Sequence, residues 1–262
     1  MKEKYDVLET IEQGDYLNQY KVKLKNTDEL KIMKIINKNM IINTLGEDYY
    51  KNVFLKSFEN MEICGKNNIN SVQLFEYSNA ENEFICVMEL VDEDLGKFLG
   101  KRDQGLNPQE ILGILKQLNN TFKIMVDNLI VHRDLKLENI FIKYNNNEKS
   151  DYTIKLGYYE VSTRLNSLDQ KMNLMIGTMG NMAPEMILKK EYDRKCDLWS
   201  LGLLIYTLFF KEPPNITVGA NFQQPLKTSG NELLDDLLNK LLKSDPENRI
   251  TWKQYFEHPF FK

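Results

Sequence analysis

Residues 132–139 read His132-Arg133-Asp134-Leu135-Lys136-Leu137-Glu138-Asn139. No other stretch constrains the chain as much. A carboxylate, an ammonium group and an amide stand within six positions, near the middle of 262 residues. Eighteen residues further on, Gly157-Tyr158-Tyr159-Glu160 offers two phenols and then a carboxylate. The contrast between these two stretches separates what the chain folds into from what it can catalyse.

A chain of 262 residues suits one large domain or a two-lobed one. The hydrophobic share of 42% and the charged share of 27% are ordinary for a soluble globular protein. A net charge of −4 argues against nucleic acid as a partner, which would call for a concentrated basic excess. Lys21, Lys23 and Lys25 alternate along a predicted strand and read as a solvated sheet face. Cys64, Cys86 and Cys196 have no metal-like spacing and read as buried thiols in a reducing compartment. The start, Met1-Lys2-Glu3-Lys4-Tyr5, has no apolar core of a secretory signal. The apolar run Leu198 to Phe210 is interrupted by Ser200, Gly202 and Thr207 and is too short for a bilayer, so it reads as a buried helix. No membrane association and a cytoplasmic location are expected.

Residues 5–36 alternate as three antiparallel strands, with a turn at Asn26-Thr27-Asp28. Helical spacing follows over 47–65, through Tyr50, Phe54, Phe58 and Met61. Two more strands, Val72–Tyr77 and Phe84–Leu90, flank a turn at Asn79-Ala80-Glu81-Asn82. After Asp94 helices dominate: Pro108, a tolerated first-turn residue, to about Met125; Leu198–Phe210; Glu232–Lys243; and a short one from Trp252 to Phe256. The run Asn145 to Ser150 reads as a polar surface loop. A β-rich part followed by a helical part is the α+β arrangement of segregated elements.

Along essentially its whole length the sequence resembles the eukaryotic protein kinase family. Besides 132–139, Lys34 in Lys31-Ile32-Met33-Lys34 stands at the strand-three lysine, and Gly177-Thr178 leads to Ala183-Pro184-Glu185 at the A-P-E segment. Asp197-Leu198-Trp199-Ser200-Leu201-Gly202 matches the start of the family's central buried helix, and Arg249 stands where the family pairs an arginine with Glu185. The resemblance implies a two-lobed kinase fold in a single domain over 1–262, with an N-lobe over about 1–90, a hinge over about 89–94 and a C-lobe over about 95–262. It also implies roles. Asp134 would accept a substrate hydroxyl proton, Lys136 would offset phosphoryl charge as in the Ser/Thr branch, and Asn139 would hold a magnesium ion. Lys34 would reach the α- and β-phosphates of ATP, paired to Glu59 or its rival Glu62. Gly14 would belong to the phosphate loop, and Met88 would be the gatekeeper. Glu89-Leu90-Val91 would read adenine, Asp94 the ribose, and Phe141 would lie under the base. Arg133 would meet a phosphorylated Ser162, Thr163 or Ser167.

The departures from the family pattern fall on the nucleotide. Where D-F-G supplies a magnesium-binding Asp, the chain has Tyr158, a neutral phenol and a poor magnesium ligand. Glu160 takes the Gly position and is expected to point elsewhere, with magnesium rescue by Glu160 or Glu138 as the exception. Ile11 to Gln19 keeps one Gly of the Gly-rich loop. Glu12 and Asp15 bring negative charge towards phosphates, Gln19 replaces an apolar roof, and Ile32 replaces a small residue beside adenine. Asn181 replaces an aromatic before Met182, and the chain is about a dozen residues shorter than the family norm between Pro214 and Leu233. The expected function is a pseudokinase that works by binding a protein partner, an active kinase or a large assembly, with no cofactor. The alternatives are an atypical active Ser/Thr kinase using ATP and magnesium, or a pseudokinase that binds ATP without transferring its phosphate.

Overall fold

A computed structural model describes residues 1–145, 150–215 and 226–262. Most of the polar run at 145–150, and much of the shortened segment before Leu233, lie outside the described residues.

Strands β1 (Tyr5–Gln13), β2 (Leu17–Leu24) and β3 (Leu30–Asn37) form an antiparallel meander. The chain then turns into α1 (Lys38–Leu45), whose N-terminus is capped by the Asn37 side chain accepting from the Met40 N–H. The predicted helix over 47–65 is present as α2 (Glu47–Tyr49), a π-helical turn at Tyr50–Phe54 and α3 (Leu55–Gly65). β4 (Leu74–Asn79) and β5 (Glu83–Glu89) complete a five-stranded sheet ordered β1-β2-β3-β5-β4. Period-two alternation on β3 gives this sheet two faces. Met33 packs with Tyr5, Val22, Ile85 and Val87 on one face. Ile36 joins the main core on the other, where Phe58 and Phe84 lie 4.3 Å apart, centroid to centroid.

The rest is helical. β6 (Glu93–Asp94) leads into α4 (Leu95–Gly100), and α5 (Pro108–Asp127) starts in a capping box of Asn107 and Glu110. The short strands β7 (Ile130–Val131), β8 (Ile140–Tyr144), β9 (Tyr152–Leu156) and β10 (Thr163–Arg164) frame the 132–139 loop and the stretch after it. They form the sheets β6-β8-β9 and β10-β7. Then come α6 (Pro184–Ile187), α7 (Cys196–Phe210), α8 (Glu232–Leu241) and α9 (Trp252–Phe256). α7 is buried over nearly its whole length, as its unbroken apolar run requires. A β-sheet region followed by a helical region is the two-lobed kinase fold.

Side chains fasten the two regions together. Asn68 donates to Thr121 Oγ1 at 2.9 Å, Thr121 donates to the Asn70 carbonyl at 2.7 Å, and Asn70 donates to the Ile154 carbonyl at 2.9 Å. Lys155, buried, donates to the Ile69 carbonyl at 2.6 Å and lies 3.1 Å from Glu89. At the far end Arg249 forks onto Glu185 at 2.7 and 2.9 Å, both side chains buried. The three cysteines are free and buried. Among the described residues no helix is long and apolar enough to cross a membrane.

Candidate functional site

The 132–139 loop hangs from Asp197 at the start of α7. Its carboxylate accepts the backbone N–H groups of His132 at 2.7 Å and Arg133 at 2.8 Å. Burial pushes the Asp197 carboxyl above its usual range, against the pull of those donors and of the neighbouring His132 and Arg133. Arg133 takes a left-handed φ of 66° and Gly177 a φ of 113° where the two backbones meet. A Cβ at Gly177 would sit 2.3 Å from the Arg133 carbonyl oxygen, so only glycine fits.

This crossing sets up Asp134. One carboxylate oxygen accepts the Thr178 N–H at 2.8 Å. The other accepts the Asn139 amide at 2.9 Å and lies 3.2 Å from the Lys136 ammonium group. Lys136 also donates to Thr178 Oγ1 at 2.6 Å. Burial pushes the Asp134 carboxyl up, but the Thr178 bond and the Lys136 charge outweigh it and hold the group below its usual range. Asp134, Lys136 and Asn139 thus converge, and the arrangement can receive a proton from a hydroxyl placed before Asp134.

Between sheet and helices lies a cavity of about 560 Å³. Ile32, Lys34, Met88, Leu90, Asp94 and Phe141 line it, as do Gln19, Lys136, Asn139 and Tyr158. Ile32 and Met88 face each other across the β3/β5 register and are both buried. Asp94 is already the N-cap of α4, accepting the Lys97 N–H at 2.8 Å. The Leu90 carbonyl accepts from Lys143 at 2.6 Å. Gly14 and Glu12 are not among the lining residues. The Gly14 N–H donates to Asn18 Oδ1 at 3.3 Å, and Glu12 is exposed in register with Gln19.

The inner end of the cavity is rebuilt around Lys34. Its ammonium group lies 2.8 Å from Glu160 Oε1 and 3.7 Å from the centroid of the Tyr158 ring. The Tyr158 ring in turn lies 5.2 Å from Phe141. Burial alone would lower the Lys34 pKa, yet Glu160 and Tyr158 more than reverse this and hold it above the usual lysine value. Two expectations are corrected here. The partner of Lys34 is neither Glu59 nor Glu62: both are exposed, and Glu59 lies 3.8 Å from Arg164. One residue turns a helix by about 100°, and α3 points Asn60 inward instead, where it donates to the buried Ser162 hydroxyl at 3.0 Å. Glu160 does not point elsewhere. Tyr158 has a left-handed φ of 54°, and the turn it makes aims Glu160 back at β3.

A divalent metal does not fit the residues present. Among the described residues no three His, Cys, Asp or Glu side chains are grouped to hold one. The Asn139 amide nitrogen donates to the Asp134 carbonyl at 2.8 Å and to its carboxylate at 2.9 Å, which leaves Asn139 only its neutral Oδ1 to offer a metal. Glu160 is engaged by Lys34, and an aromatic ring stands where a carboxylate ligand is needed.

The family model for the protein kinase domain matches residues 5–261. This chain belongs to the protein kinase family. It is 28% identical over 99% of its length to the serine/threonine-protein kinase TIO of Arabidopsis thaliana, covering 19% of that protein. It is 28% identical over 98% of its length to the serine/threonine-protein kinase cds1 of Schizosaccharomyces pombe, covering 58% of it, and 27% identical to the serine/threonine-protein kinase PLK4 of Nematostella vectensis, covering 26%. The chain thus spans between about a fifth and three fifths of the length of these curated relatives. Kinases of this family ordinarily use ATP and magnesium, and Tyr158, Tyr159 and Glu160 occupy the D-F-G positions.

Two features of this kinase site escaped the sequence reading. A carboxylate in place of the D-F-G glycine, on a segment that borders the strand-three lysine, was the available signal for the Lys34–Glu160 pair. No comparable signal marked Tyr159. Its ring packs 5.2 Å from His132 and its hydroxyl lies 3.1 Å from Ser71 Oγ, a polar tie that a phenylalanine would lack.

Proposed function

We propose that this kinase-family chain is a pseudokinase: phosphotransfer is absent or severely impaired, and the domain acts by binding a protein partner. One observation carries the reading. The lysine that would meet the nucleotide phosphates is held by Glu160 at 2.8 Å and covered by the Tyr158 ring at 3.7 Å. The ring that covers it replaces the metal ligand, so the nucleotide's charge lacks its protein-held metal counterweight. Phosphoryl transfer depends almost wholly on positioning and charge neutralisation, and both are missing on the nucleotide side. The partner would be an active kinase or a larger assembly. A cytoplasmic setting fits such a role.

The ordered Asp134, Lys136 and Asn139 constellation supports a second reading, an atypical Ser/Thr kinase. Phosphate transfer from radiolabelled ATP to a protein substrate decides between them. Transfer at background level, equal in the wild-type chain and in Asp134→Asn, is the expected result. Transfer that disappears in Asp134→Asn overturns the pseudokinase reading.

A further inference from the structure

We infer that residues 157–163 form a latch that joins β3, α3 and the 132–139 loop into one unit, so that the chain itself, without a ligand, sets the arrangement of its two lobes. The latch does not depend on whether the site transfers phosphate.

Between β9 and β10 the chain has no regular secondary structure from Gly157 to Ser162. Stretches of this kind are commonly mobile, because few buried contacts oppose their opening. This one is tied on both sides. Toward the helical region the ties run through its backbone. The Gly157 N–H donates to the Asn139 carbonyl at 3.0 Å, the Gly157 carbonyl lies 3.1 Å from His132 Nε2, and the Val161 carbonyl accepts from Arg133 Nε at 2.8 Å. Toward the sheet region the ties run through three side chains, each to a different element. The Tyr159 hydroxyl lies 3.1 Å from Ser71 Oγ, in the stretch before β4. Glu160 lies 2.8 Å from Lys34 on β3. The Ser162 hydroxyl accepts from the Asn60 amide on α3 at 3.0 Å.

Backbone geometry makes this convergence possible. The left-handed Tyr158 starts a reversal, and the Ser162 N–H closes a four-residue turn onto the Tyr159 carbonyl at 2.7 Å. Both end residues of that turn are buried, while Glu160 between them reaches β3. Two of the three ties are neutral pairs of buried groups, phenol with hydroxyl and amide with hydroxyl. Swinging the segment out would part all three ties at once. Asn60, Ser71 and Lys34 would stay behind in buried positions without these partners, so opening is opposed from three directions.

Residue-resolved hydrogen exchange on the whole, ligand-free chain tests this. The Gly157 and Ser162 amides are expected to exchange within about tenfold of the buried α5 amides, and at least about a hundredfold more slowly than that of Asp28, exposed in the turn between β2 and β3. Exchange as fast as that of Asp28 overturns the latch. So does a slowing of more than about tenfold on adding millimolar ATP with magnesium, because a ligand would then be closing the segment. Tyr159→Phe removes the tie to Ser71 and Ser162→Ala the tie to Asn60. Each should speed exchange at Gly157 about tenfold, and the two together about a hundredfold, with the α8 amides unchanged. Variants that leave Gly157 unchanged, or that speed α8 equally, overturn the latch. Should either variant fail to fold, the wild-type rates with and without ATP still decide. Asp134-dependent transfer in a chain whose Gly157 amide stays protected sinks the functional reading and leaves the latch standing, whereas fast exchange with transfer at background does the reverse.

Discussion

The 132–139 loop and the 157–160 segment lie against the same cleft, yet they are held in place by different means. The loop is fixed through backbone groups. Asp197 takes two of its N–H groups, Thr178 offers an N–H to Asp134, and the Arg133 carbonyl excludes any side chain at position 177. Beyond Gly157, whose N–H donates to the Asn139 carbonyl at 3.0 Å, the segment is fixed mainly through side chains, with Glu160 on Lys34 and Tyr158 between Lys34 and Phe141. Backbone-anchored geometry survives as long as the fold does, because removing it unfolds the loop. Side-chain geometry can be rewired while the fold stays intact. An ordered Asp134, Lys136 and Asn139 is therefore evidence about architecture, and the Tyr158–Glu160 pair is evidence about chemistry.

The largest test of this contrast is Asp197→Ala. It strands two buried N–H donors and should cost about 3–5 kcal/mol in chemical denaturation. A loss under about 1 kcal/mol would show that the loop does not hang from Asp197. Next comes Glu160→Gln, which leaves the Lys34 ammonium group buried without its carboxylate. Glu160 is 24% exposed, so solvent softens the loss to about 1–2 kcal/mol, read in the same assay. Asp134→Asn tests the loop from within. The depressed Asp134 carboxyl adds stability that is complete above the ordinary value of 3.8 and is lost as pH falls through its folded value. The variant should therefore be less stable than the wild type near neutrality and lose that difference as pH falls, which gives it a shallower acid limb. Smallest is Tyr158→Phe. Its ring makes the contacts with Lys34 and Phe141, so stability should stay within about 0.5 kcal/mol of wild type. A larger loss would place the energy in the hydroxyl.

The backbone-held region was also the legible one. Residue types at fixed spacing, from His132 to Asn139 and from Ala183 to Glu185, announced the fold, and apolar periodicity placed the helices at 108–127 and 196–210 to within a few residues. The Glu185–Arg249 fork was expected and is present. α1 was not foreseen, because its buried side comes down to Ile41 and its start depends on the Asn37 cap. In the helix at 47–65 the apolar spacing was read correctly, but the π-helical turn at 50–54 was not. That turn adds a residue to the local repeat without leaving a compositional mark. Choosing Glu59 over Asn60 required knowing how α3 is rotated about its axis, which tertiary packing decides. The direction of Glu160 required the sign of φ at Tyr158, and a tyrosine does not advertise a left-handed backbone.

The Lys34 pairing also bears on covalent chemistry. Amines attack acylating reagents only when unprotonated, and the Glu160 carboxylate and the Tyr158 ring both favour the protonated form. An acylating reagent should therefore modify buried Lys34 more slowly than the exposed lysines of the chain.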